Sequence, residues 1–125
     1  MEKEQFNEVK ARLQKMTPLL INGAVEVFEN DPELVARFGI SLREVAKQSV
    51  ITLRDVLLGS LQLDHPQLLV GELKWLEHLL QSRQINPQTM HQNFQRFRTN
   101  LSMGLSPEDA AVVLSLYDQA VEKLI

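Results

Sequence analysis

The chain has 125 residues, 44% of them apolar and 23% charged, with a formal net charge of −3 and no cysteine. These values fit one globular domain spanning residues 1–125, and they exclude a disordered chain, a disulfide scaffold, a thiolate metal site and a cysteine nucleophile. There is no basic block and no apolar run near the ~20 residues of a membrane span, so neither nucleic acid nor a membrane is expected as a partner.

Met1-Glu2-Lys3-Glu4-Gln5 is polar and carries no signal peptide, which makes a reducing, cytoplasmic setting the default expectation. Five prolines then punctuate the chain, in Thr17-Pro18, Asp31-Pro32, His65-Pro66, Asn86-Pro87 and Ser106-Pro107. Proline fits a first helical turn, and Thr, Asp, Asn and Ser can cap one. His65 is the weak member.

Helix one is expected from about Glu2 to Met16, with Phe6, Val9, Leu13 and Met16 on one face. Helix two begins at Pro18, and its apolar arc includes Leu20, Ala24, Val27 and Phe28. Asn22-Gly23 falls on the polar side of that pattern and is read through. Pro32 to Phe38 is a short helix closed by Gly39. Ser41 and Glu44 form a capping box, and Ile40 and Val45 form a hydrophobic staple. That start opens a fourth helix, Leu42 to about Leu61.

The main stripe of this helix is Val45, Ala46, Ser49, Leu53, Val56, Leu57 and Ser60. Ile51 and Leu58 lie nearly opposite. Either the helix is sandwiched between others or it offers a patch to a partner. Helix five runs from Pro66 to about Arg83. Helix six runs from Pro87 to about Met103, with Met90, Phe94, Phe97 and Leu101 inward. The last helix opens at Ser106-Pro107 and turns Ala110, Leu114, Tyr117, Val121 and Leu124 inward. The expected architecture is all-α: about seven helices with short connections.

The residues with chemical potential are few. Trp75, the single tryptophan, sits at a margin of the Leu69-Leu73-Leu76-Leu80 stripe, beside Leu79. His78 falls roughly 60° beyond Trp75 on the helical wheel. It either reaches a ligand held between helices or is a half-exposed surface residue. Glu72 falls inside the apolar arc. A carboxylate buried there needs a partner, such as Arg43 or Arg54, or takes up a proton, whereas exposure at a helix end needs neither. Three scattered histidines without i, i+4 pairing do not make a metal site. There is no nucleophile elbow or phosphate loop, so no catalytic residue is assigned and no enzyme is expected. An enzyme would require a pocket around Glu72 with a raised pKa.

Two stretches resemble globins. Val27-Phe28-Glu29-Asn30-Asp31-Pro32-Glu33-Leu34-Val35-Ala36-Arg37-Phe38 resembles the globin corner where a Phe precedes a Pro-Glu helix start and another Phe follows. Ile85-Asn86-Pro87-Gln88-Thr89-Met90 resembles the start of the penultimate globin helix. The resemblance implies a globin-like bundle in which Phe38 holds the place of the haem-stacking phenylalanine. It also implies that Leu79 holds the proximal histidine position, one residue from His78. A globin-like shell without a proximal ligand is similar to the non-haem globin domains at the N-termini of bacterial stressosome sensor proteins, which dimerise and relay signals.

Pro66 to Ile85, with Glu72-Leu73-Lys74-Trp75-Leu76, also resembles the helical domain that caps cobalamin in corrinoid-dependent regulators. There Trp75 would cover the corrin, but the cobalamin-binding partner domain has no counterpart in this chain. The expectation is a non-enzymatic sensory or protein-interaction module without haem. It would act as a homodimer or with a signalling partner, and a small-molecule ligand is possible. The alternative is a sensor or carrier of a tetrapyrrole (haem, bilin or cobalamin). The pocket candidates are His78, Trp75, Phe38, Leu79 and Glu72.

Overall fold

The computed structural model describes residues 1–123, the side chain of Leu80 excepted. Every element in this range is helical. In chain order they are α1 (Lys3–Lys15), α2 (Thr17–Glu29), α3 (Pro32–Phe38), a 3-10 turn (Gly39–Ser41), α4 (Leu42–Gln62), α5 (Pro66–Ser82), α6 (Pro87–Gly104) and α7 (Pro107–Glu122). No helix among the described residues is long and apolar enough to cross a membrane.

Three of the expected caps form. The Asp31 carboxylate accepts the backbone N–H groups of Glu33 and Leu34 at 3.0 and 3.4 Å. Asn86 accepts from Gln88 N–H at 2.9 Å, and Ser106 accepts from Asp109 N–H at 3.3 Å. Each satisfies a donor that the first helical turn leaves without an intrahelical partner.

Thr17 does not cap. It is already helical, and its hydroxyl donates to the Leu13 carbonyl at 2.7 Å while accepting from Arg54 at 2.9 Å. The Ser41–Glu44 box and the Ile40–Val45 staple are also absent. Gly39 turns the chain at φ +53°, and the 3-10 turn that follows puts Ser41 in helical conformation. A side chain there cannot reach back over the first turn. Ile40 is left fully exposed, and Glu44 instead accepts from Gln48.

The core is continuous. α2 packs between α4 and α6, α4 packs on α5, and α5 packs on α7. Val9 and Leu13 of α1, Leu57 of α4 and Leu69 and Leu73 of α5 have no solvent exposure. α4 also touches α1, α3 and α7. The helix is therefore sandwiched, which accounts for its second apolar side. Leu58 is buried and Ile51 half-buried within the chain's own fold, which is the sandwiched alternative.

Gly23 proves to be buried rather than polar-facing. A Cβ there would meet the Asn100 amide at 2.6 Å and Arg96 Cγ at 3.1 Å, so its lack of a side chain lets α2 approach α6. Gly104 works the same way at the other end of α6, lying against Met16.

The inner face of α7 is rotated from the expected one. Val113, Leu116, Tyr117 and Ala120 are buried, while Leu114 and Val121 lie at its margins. Leu124 lies outside the described residues. Polar anchors set this rotation. The Tyr117 hydroxyl donates to the Phe94 carbonyl at 2.8 Å, and its ring stacks on Phe97 at 5.7 Å. Arg98 grips Asp118 through two bonds of 2.8 and 2.9 Å.

A second buried bond joins distant elements. The Thr89 hydroxyl, in the first turn of α6, donates to the other oxygen of Asp31 at 2.6 Å. Replacing Asp31 by Ala removes a cap and orphans a buried hydroxyl, a loss of about 2–4 kcal/mol. Urea unfolding of Asp31→Ala is expected to show it. In the Asp31→Ala background, Thr89→Val is expected to cost less than it does alone.

Burial, with a smaller push from the charge of Asp118, raises the Tyr117 phenol far above its ordinary value. The unfolded chain thus releases this proton first, near pH 10. Stability is full below that pH and falls above it by about 1.4 kcal/mol per pH unit. Tyr117 is the single tyrosine. Tyrosinate absorbance is therefore expected to appear only together with loss of helical circular dichroism, and Tyr117→Phe is expected to remove this part of the alkaline instability.

Candidate functional site

The most enclosed concave feature among the described residues is a largely apolar cavity of about 210 Å3 between α4, α5 and α6. It exists because three helices leave a gap that α3 closes from the side. α4 contributes Val45, Gln48, Ser49, Thr52 and Leu53, which recur at helical spacing along one edge. α5 contributes Glu72, Leu73, Leu76 and Leu79, with Trp75 at the rim. Thr89, Met90, Asn93 and Phe94 of α6 form the back wall. Phe28 of α2 and Leu34 and Phe38 of α3 complete the enclosure.

Four of the five candidates come together here: Phe38, Glu72, Trp75 and Leu79 all line the cavity. His78 does not. It is exposed and absent from the wall, because its wheel position turns it away from the leucine stripe. The prospect that His78 reaches a ligand between the helices is corrected accordingly. Trp75 keeps 57% of its surface in solvent, more than its place beside Leu79 suggests.

Glu72 is half-buried and pairs with neither proposed arginine. Arg43 donates to Asn22, and Arg54 is held by Thr17 and Asp55. Near the end of α5, Gln84 sits at φ +60°, a left-handed turn that stops the helix. Beside it the Arg83 carbonyl accepts from Arg37, tying the end of α3 to the end of α5. The Arg83 side chain lies at the cavity mouth.

Asn93 was not foreseen. It is 6% exposed and lines the cavity, and no side-chain hydrogen bond to another described residue holds its amide, whereas the one fully buried side-chain atom left without a partner among the described residues is Ser60 Oγ. The sequence did carry a signal: Asn93 falls on the same arc as Met90, Phe94, Phe97 and Leu101, where a polar side chain is out of place. Thr89 sits on that arc too, but its hydroxyl is committed to Asp31.

Chemically, the arrangement is an apolar recess with one unpaired amide inside and one charge of each sign at its edge. No histidine lines it. Among the described residues, no group of three or more His, Asp or Glu side chains is arranged to hold a metal ion. Comparison with known protein families, with curated proteins and with solved structures finds no match to this chain.

Trp75 is the single tryptophan and reports directly on the rim. Its emission is expected to be red-shifted and readily quenched by iodide. Trp75→Ala is expected to cost under about 1.5 kcal/mol, well below the ~3–5 kcal/mol of a buried tryptophan. Chemical denaturation with circular dichroism measures that cost.

Proposed function

We propose that the chain is a non-catalytic sensory or regulatory module of globin-like arrangement whose signal is a small molecule held between α4 and α5. The observation that carries this reading is the cavity: its wall is mostly apolar, and it opens to solvent beside the exposed Trp75 and Arg83, so a small molecule has a way in.

Haem does not fit the residues present. Leu79 stands on the wall where an iron-binding imidazole would project, and His78 lies outside it. Size argues the same way. A cavity of about 150 Å3 holds one benzene ring, so about 210 Å3 is small for enclosing a macrocycle of four pyrroles. This weighs equally against the bilin and cobalamin alternatives.

In this reading the module passes its occupancy to a second copy or to a signalling partner. α3 is the natural reporter, because it contributes Leu34 and Phe38 to the cavity and is fixed by two side-chain bonds, from Thr89 to Asp31 and from Arg37 to Arg83.

Titration with haemin tests the assignment. The purified chain is expected to give only the broad spectrum of free haemin, unchanged in His78→Ala. A sharp Soret band, or a coloured tetrapyrrole bound to protein from its native host, would overturn the proposal.

A further inference from the structure

We infer that the ligand of this cavity is a neutral molecule of one or two fused rings carrying a single hydrogen-bonding group, and that the Asn93 amide reads that group. The inference rests on the sensory reading above and adds the class of ligand.

Volume sets the size. About 210 Å3 exceeds the roughly 150 Å3 that holds benzene, and it falls below the ~300 Å3 at which drug-sized pockets begin. Shape follows from the walls. Phe28, Phe38 and Phe94 present ring faces or edges, with Met90 as a deformable filler between them. Such walls favour a flat ring over a branched aliphatic body.

Charge is excluded from the interior. The buried part of the wall, from Phe28 and Leu53 to Met90 and Phe94, holds no ionised side chain. An ion placed there would be desolvated without a partner. Glu72 and Arg83, the two charged residues of the wall, are not among its buried residues, so their charges sit on its solvent side.

Asn93 supplies the specificity. A buried amide carries two donors and an acceptor, and leaving them unmet is costly. Nearly all such groups in folded proteins are satisfied. Thr89, the polar neighbour one turn before, already donates to Asp31. Asn93 has no protein partner and lines the cavity, so the group that meets its amide, a water or a ligand atom, lies inside the cavity.

Fluorine NMR with 4-fluorophenol, fluorobenzene and 4-fluorobenzoate tests the inference on the full chain. The phenol is expected to bind, and Asn93→Leu is expected to weaken it about three- to tenfold while leaving fluorobenzene unchanged or tighter, as for loss of one neutral hydrogen bond. 4-Fluorobenzoate is expected to bind at least tenfold more weakly than the phenol. Retained fluorobenzene binding shows that the Asn93 variant is folded, and Ser49→Phe, which adds bulk to the cavity wall from α4, is expected to abolish binding of both neutral probes and so places them in this cavity.

Phenol binding unaffected by Asn93→Leu would overturn the role of Asn93. Tighter binding of benzoate would overturn neutrality. Failure of all three probes would overturn the ligand class. The sensory reading would still stand in each case and would fall only with tetrapyrrole uptake.

Discussion

The Asp31 carboxylate is the constraint on which the cavity depends. One oxygen caps α3 and the other accepts the Thr89 hydroxyl from α6, 58 residues further along the chain. Hydrogen bonds to a charged group are worth more than neutral ones, and inside the fold water does not compete for them. α3 has only seven residues, too few to be stable alone. Its position is therefore set by what holds it. Asp31 fixes the start, and Arg37 on the Arg83 carbonyl fixes the end. Between those points Leu34 and Phe38 are presented to the gap beside α5.

That gap survives because α5 is held away from it. α5 is fixed by a short turn to α4 and by its packing on α7, and its far end is tied to α3. Protein interiors normally close to crystal-like density. Here Phe28, Met90 and Phe94 line the recess from α2 and α6, two helices that Gly23 lets approach closely.

Much of the fold was legible locally. Asp31, Asn86 and Ser106 announce helix starts through chemistry that needs no neighbour: an oxygen, a first-turn N–H and a proline behind them. Ser41 misleads because the box pattern assumes an extended residue before the helix, whereas Gly39 and the 3-10 turn make Ser41 helical. Glu72, Trp75 and Leu79 reach the cavity where their wheel positions put them, on or beside the inward side of α5, whereas Phe38 was a candidate through the globin resemblance alone. His78 shows the resolution of that method, since one residue of rotation separates the wall from the solvent. Asn93 carries a signal of the same kind, a polar residue on an apolar arc, but a wheel does not say that this part of the arc faces a cavity rather than packed side chains.

The sequence by itself determined the class of structure, the helix starts at proline and most of each helix's buried face, because those depend on backbone sterics and on periodicity within a single segment. The rotation of α7 was decided only in the tertiary structure. So were the burial of Gly23, the covering of the second side of α4, and the meeting of Asp31 with Thr89. Each of these is a relation between segments far apart in the chain. The cavity belongs to the same group: it is a space that no single helix encloses, and it forms only where three helices and a tethered fourth fail to meet.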